Sequence, residues 1–253
     1  MNKIIAISNH KGGTGKTTTC ASLGVALTEL KKKVLAIDLD PQASLSVSLG
    51  LDVSRLEKTI YNALLEKDFR VEDAIVKVRE DLDLIPANRD LAAAEIILVQ
   101  ETGGELILLK TLKRIRNHYD YILIDCPPSL GKLTINALVA ANEVILPVSC
   151  SFLDIKSLGQ LLETIETIKE RLNSSLNISG ILLTKFNGRT LHASEVVRRV
   201  KNIFKDQVFE IVVCDSVRFK EAPVRGETIL EYASTHKGAM QYRSLAKEVE
   251  NRG

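Results

Sequence analysis

The chain is 253 residues long and carries 34 Lys and Arg against 32 Asp and Glu, so its net charge of +2 announces neither a nucleic acid nor a membrane partner, and any basic patch must be local. Hydrophobic residues make up 45% and charged residues 26%, a globular balance that excludes a disordered or fibrous chain and leaves ample material for a core. The most apolar stretch, 133–153, is broken by Glu143 and Pro147, no secretory segment opens the chain, and the cysteines at 20, 126, 150 and 214 form no C-x-x-C pair. A cytoplasmic protein with reduced thiols, no zinc site and no membrane association is the expectation.

Taken in chain order, the first element is a strand at Ile4–Ile7, followed by His10-Lys11-Gly12-Gly13-Thr14-Gly15-Lys16-Thr17-Thr18 and a helical pattern over Thr17–Leu30. Glycines between a strand and a helix let successive N–H groups turn toward one anion at the positive end of the helix dipole. Lys16 would then reach the β- and γ-phosphates, and the Thr17 hydroxyl would ligate Mg2+. Lys11 is the odd residue, standing where a phosphate loop needs no lysine. It is either a surface charge or a cation that crosses to phosphates bound by a second subunit. A dinucleotide site is disfavoured, because Thr18 occupies the position of the third glycine and Lys16 would crowd a pyrophosphate.

The second strand, Val34–Ile37, ends in Asp38-Leu39-Asp40-Pro41-Gln42. The segment Leu51–Val78 reads as a helical insertion. A strand at Leu82–Ile85, helices at Asn88–Gln100 and Leu106–Asn117, and a strand at Tyr121–Ile124 follow, the last running into Asp125-Cys126-Pro127-Pro128. Parallel strands bring their carboxyl ends to one edge, so Asp38, Asp40 and Asp125 should meet the phosphate loop there. Asp125 is the candidate Walker B carboxylate, since the waters on Mg2+ want an acidic acceptor. Of the other two, Asp38 is a candidate for assisting the metal and Asp40, nearer the loop edge, for orienting the attacking water.

A helix at Leu130–Ala141, strands at Val144–Val148 and Ile178–Leu183 and an intervening helix at Ile155–Leu172 complete the α/β rhythm. Their unbroken apolar runs predict a doubly wound, mostly parallel sheet covered by six or more helices, in one domain spanning 1–253. After the sixth predicted strand stands Thr184-Lys185-Phe186-Asn187, which lacks the aspartate of a guanine-reading Asn-Lys-x-Asp and so favours ATP. From Lys185 to Lys205 there are six basic residues against one acid. Arg189, Arg198, Arg199 and Lys201 in that run, most of them on a helix over Ala193–Phe204, are candidate phosphate contacts for duplex DNA, where log K falls by about 0.9 per neutralised phosphate as log salt rises. The last strand, Val208–Val213, leads to Cys214-Asp215-Ser216, a second candidate for contacts to the base.

With these motifs in hand, the chain resembles the ParA/Soj family of partitioning ATPases, in the deviant Walker A group that also holds MinD. The resemblance spans nearly the whole chain and is carried by Lys11-Gly-Gly-Thr-Gly-Lys-Thr-Thr18, Asp38-Leu-Asp-Pro-Gln42, Ile124-Asp-Cys-Pro-Pro128 and Val217-Arg-Phe-Lys-Glu-Ala-Pro223. It implies that ATP with Mg2+ closes two subunits face to face, with Lys11 contacting the other subunit's phosphates, and that the dimer binds DNA without regard to sequence. It further implies slow hydrolysis with Asp40 positioning water, stimulation by a ParB-type partner, and a nucleoid-associated location. Arg218 matches a family DNA-contact position, with Lys220 beside it. The family's adenine contacts come from a proline and an asparagine, and here Cys214 and Ser216 stand in their places. A MinD-like membrane role would need a basic amphipathic helix at the carboxyl end, and 240–253 offers little apolar surface for one.

Overall fold

The computed structural model describes residues 2–252, apart from the side chains of residues 152–157 and 192. Eight strands form one sheet: β1 (Lys3–Ile7), β2 (Val34–Asp38), β3 (Val76–Arg79), β4 (Leu82–Ile85), β5 (Tyr121–Asp125), β6 (Glu143–Ser149), β7 (Asn177–Phe186) and β8 (Val208–Cys214). Their order is β3-β4-β2-β5-β1-β6-β7-β8, and every pairing is parallel except β3 with β4. Residues along a strand alternate between two cores. In β5, Ile122 and Ile124 face one and Tyr121 and Leu123 the other, and in β2, Leu35 and Ile37 oppose Val34 and Ala36. This is why the strands read as continuous apolar runs with no polar face.

The helices are α1 (Lys16–Glu29), α2 (Ser44–Ser48), α3 (Ile60–Leu65), α4 (Leu91–Gln100), α5 (Ile107–Leu112), α6 (Lys132–Ala140), α7 (Phe152–Arg171), α8 (Leu191–Phe204), α9 (Arg218–Glu221), α10 (Ile229–Tyr232) and α11 (Lys237–Asn251). Residues of α3 to α8 fill one core, and those of α1, α2, α10 and α11 fill the other. The doubly wound, mostly parallel architecture expected from the sequence is present. No helix among the described residues is long and apolar enough to cross a membrane.

Three elements depart from expectation. The end of the segment read as a helical insertion is the edge strand β3, whose Val-Lys-Val-Arg alternates and turns back into β4 through Asp81 in the left-handed region, φ +59°. The helix expected over Leu106–Asn117 ends at Leu112, after which a tighter turn from Ile115 N–H to the Leu112 carbonyl buries Ile115. The long carboxyl-terminal helix α11 buries Gly238, Ala239, Tyr242, Leu245, Ala246 and Val249, a complete three-and-four stripe of which half the residues are small. Arg252 fastens its end, donating to the carbonyls of Ser179 and Val208 at 3.0 and 2.9 Å and lying over the Phe209 ring.

Candidate functional site

The phosphate loop leaves β1 at Ser8 and enters α1 at Lys16. Gly13 and Gly15 both have positive φ, +76° and +92°, which only glycine adopts cheaply, and Gly15 caps α1 without offering a side chain to its N–H groups. The first-turn donors of α1 are therefore left for an anion. Asn9 braces the loop from beneath, donating to the Pro147 carbonyl at 2.7 Å and accepting from Lys11 N–H at 3.0 Å. From the other side, the Thr184 hydroxyl at the end of β7 donates to the Thr14 carbonyl at 2.7 Å.

Lys16 is buried to 7% exposure and its ammonium donates to the Lys11 carbonyl at 3.1 Å. Burial lowers its pKa, an effect opposed by Asp125. Together with Gly12, Gly13, Gly15, Thr17, Thr18 and Asp40 it lines a cavity of about 400 Å³.

The carboxylates end adjacent strands, with Asp38 and Asp125 in register on β2 and β5. Both are fully buried, and burial pushes both carboxyls well above the usual carboxylate range, Asp38 to about 6, each in the field of other acids. Their roles separate at the level of hydrogen bonds. Asp38 Oδ2 accepts from Ser46 N–H and Ser46 Oγ at 2.8 and 2.7 Å, and Oδ1 accepts from Asp40 N–H at 3.2 Å. It holds the start of α2. Neither oxygen of Asp125 has a partner in hydrogen-bond geometry, although both are buried and the Thr17 hydroxyl lies near. Two orphaned buried oxygens beside a threonine hydroxyl fit a hydrated divalent cation, with Thr17 and Asp125 as its holders. The expected third member, Asp38, sits at the same edge with its oxygens already engaged. Asp40 is half-buried, faces the cavity and accepts from Gln42 N–H at 2.9 Å.

At the far end of the cavity stand Cys214, Asp215 and Ser216, with Phe219, Lys220 and Tyr242. The loop is held by α11. Gln241 accepts from Cys214 N–H at 3.0 Å and donates to the Val212 carbonyl at 2.5 Å. The Tyr242 hydroxyl meets Thr19 Oγ at 3.1 Å, joining α11 to α1. His236 Nδ1 accepts from Gly238 N–H, so its neutral ring carries the proton on Nε2 and donates to Ser216 Oγ at 3.4 Å. Burial, helped by the charge of Arg218, lowers the His236 pKa and favours that neutral form.

The candidate DNA residues do not form one group. Arg218 and Lys220 lie exposed on α9, and Lys220 also lines the cavity. Arg198 and Arg199 are exposed on α8 beside Glu195 and Asn202, and Arg189 lies in the turn ahead of it. Lys201 is paired with Glu210 at 3.0 Å. Sequence reasoning missed Thr184, Gln241 and Tyr242 as parts of the site. The position of Thr184 at the carboxyl end of a parallel strand was an available signal, whereas nothing local marks the other two.

Comparison with known proteins places this geometry. A family model described as an AAA domain matches residues 2–178. The sporulation initiation inhibitor protein Soj of Bacillus subtilis is 43% identical over the full length of both chains, and the chromosome partitioning protein ParA of Myxococcus xanthus is 41% identical over all of this chain and 89% of its own. A solved structure of cobyrinic acid a,c-diamide synthase from Mycobacterium smegmatis with bound ATP analogue and magnesium superposes with a TM-score of 0.82 at 37% identity, covering 98% of this chain and 93% of that one. The loop, the orphaned carboxylate and the cavity thus take ATP and Mg2+, and the chain belongs to the ParA/Soj family of deviant Walker A, magnesium-dependent ATPases.

Proposed function

We propose that the chain, acting as one P-loop ATPase domain over residues 1–253, is a DNA-partitioning ATPase whose ATP-bound dimer holds duplex DNA without sequence preference and lets go on hydrolysis. The observation that carries this reading is the position of α9. Its Phe219 and Lys220 line the nucleotide cavity while its Arg218 is exposed at the surface, so one short helix adjoins both ligands. The partitioning names of the Bacillus and Myxococcus relatives support the biological role.

The roles follow from the site. Gly12 to Thr18 and Lys16 bind the β- and γ-phosphates, and Cys214 and Ser216 contact the base, Ser216 with a hydroxyl proton to give because its oxygen already accepts from His236 and Arg218 N–H. Thr17 and Asp125 would hold Mg2+, which when bound would supply charge neutralisation to the phosphate chain, with Asp38 keeping the neighbouring strand end in place. Asp40 orients the attacking water from the cavity wall. Lys11 reaches the second copy's phosphates, which makes a dimer the hydrolytically competent form. Arg189, Arg198, Arg199, Arg218 and Lys220 contact DNA phosphates, with Lys201 contributing less because Glu210 already holds it. A ParB-type DNA-bound partner accelerates hydrolysis, and the protein works in the cytoplasm on the nucleoid rather than on a membrane.

Binding to a non-specific duplex with ATP, with ADP and without nucleotide tests this, using the natural chain, Asp40→Ala and Arg218→Ala at two salt concentrations. Salt-sensitive binding with ATP alone, prolonged in Asp40→Ala and lost in Arg218→Ala, is the expected result. Binding that ignores nucleotide, or attachment to liposomes in place of DNA, refutes the partition role and points to a MinD-like or other cargo-positioning ATPase.

A further inference from the structure

Among the basic residues that begin the run after β7, Lys185 stands apart from the DNA candidates. It follows Thr184, whose hydroxyl is fastened to the Thr14 carbonyl and whose Cγ2 lies 3.7 Å from where a β-carbon on Gly15 would stand, so the end of β7 is packed onto the phosphate loop. One residue on, the backbone of Lys185 enters the left-handed region at φ +52°, a conformation unfavourable for a residue with a β-carbon. That turn carries the side chain back over the loop, and its Nζ stands 3.8 Å from the β-carbon position of Gly13. Lys185 lines the nucleotide cavity beside Gly12 and Gly13, at the same sheet edge as Lys16, and none of the ion pairs formed among the described residues involves it.

We propose that Lys185 is a nucleotide-binding residue, a cation supplied by the end of β7 that contacts the phosphate chain of the nucleotide beside Gly13, in the same subunit. The inference rests on the nucleotide-binding reading of the cavity and adds to it a residue outside the phosphate-loop motif. The ammonium faces the same anion that the N–H groups of the loop face, so its contribution is shared by ADP and ATP. It raises affinity for both and leaves the hydrolytic step to other groups. Lys185 correspondingly drops out of the DNA surface, although its place in the sequence puts it at the head of the basic run.

Equilibrium binding of a fluorescent Mg-ADP and Mg-ATP to the natural chain, Lys185→Asn and Lys185→Arg tests the assignment. Asparagine tolerates the left-handed backbone, so the change removes the charge without adding strain. Loss of a charged hydrogen bond predicts about tenfold weaker binding of both nucleotides to Lys185→Asn, equivalent to about 1.4 kcal/mol, with arginine restoring most of it. The salt slope of DNA binding stays unchanged, where loss of a DNA phosphate contact would lower it by about 0.9. Equal nucleotide affinity in Lys185→Asn, or a lowered DNA slope, overturns the proposal. If the natural chain binds neither nucleotide, the nucleotide reading falls and takes this one with it. Should Lys185→Asn fail to fold, amine acetylation of the natural chain decides by mass spectrometry. Protection of Lys185 by Mg-ADP supports the assignment, and an unchanged acetylation rate refutes it.

Discussion

Replacing Ser46 by alanine isolates the scaffold that holds Asp38 from the chemistry it serves. Ser46 is fully buried at the start of α2, where its hydroxyl donates to Asp38 Oδ2 at 2.7 Å and accepts from Ala87 N–H at 3.1 Å. Alanine keeps the backbone bond from residue 46 to Asp38 and is a good helix former, so α2 itself is not penalised. What is lost is one hydrogen bond to a carboxylate, about 1.5–3 kcal/mol, and the side-chain acceptor of the buried Ala87 N–H, about 1–3 kcal/mol more. The expected cost is roughly 2.5–6 kcal/mol, a large fraction of the roughly 5–15 kcal/mol by which a domain is stable. Urea unfolding without nucleotide measures it as a lower midpoint at unchanged slope. Ser48→Ala in the same helix serves as control, since that hydroxyl bonds only back to the Ser44 carbonyl at an exposed position, and a change within about 0.5 kcal/mol is expected. A cost for Ser46→Ala below about 1 kcal/mol refutes the view that this hydroxyl secures Asp38.

Asp125→Asn should separate folding from metal binding. It removes one of two buried like charges and so raises the unfolding midpoint of the nucleotide-free protein, while Mg2+ no longer strengthens nucleotide binding; calorimetric titration with and without Mg2+ shows the second effect, and a retained Mg2+ dependence would remove Asp125 from the metal site. Gly226→Ala should cost about 3 kcal/mol or more in thermal unfolding, because Gly226 has φ +67° and a β-carbon there would stand 2.6 Å from Gly50 Cα, where backbone cannot yield. The Arg79–Glu231 pair gives the pH prediction. Burial raises the Glu231 carboxyl, but Arg79 and Thr228 outweigh it and hold its pKa below 4.5 in the folded chain. Its contribution is therefore complete above the unfolded value and disappears as pH falls through the folded one, so Arg79→Met should flatten the acid side of a stability profile taken from pH 6 to pH 3.

The carboxyl-terminal helix shows where sequence reading stops. The phosphate loop and Asp38, Asp40 and Asp125 were legible because each motif is local, and the parallel sheet alone carries their strand ends to one edge. Helix α11 escaped because its buried stripe is Gly238, Ala239, Tyr242 and Ala246 as much as Leu245 and Val249, and a search for large aliphatics passes over small residues that allow close packing. Strand β3 escaped for the complementary reason, since its alternating lysine and arginine suit an edge strand and do not resemble the unbroken apolar runs of the interior.

Helix α11 also bears on the base loop, at one of the two positions, Cys214 and Ser216, where the chain departs from the family pattern. Where the family has a proline at the base loop, which has no N–H, position 214 is a cysteine whose N–H needs a partner. Strand β8 is an edge and offers no further strand to satisfy it, so Gln241 serves as the next strand would, accepting from Cys214 N–H and donating to the Val212 carbonyl. Cys214 and Gln241 are thus coupled through one hydrogen bond, 27 residues apart in the chain. Truncating Gln241 to alanine in the natural chain should loosen the base loop and weaken nucleotide binding, whereas the same change in Cys214→Pro should do little, a non-additivity that a double-mutant cycle on Mg-ADP affinity measures directly. Equal losses in both backgrounds would mean that Gln241 acts on the nucleotide by some route other than the N–H of residue 214.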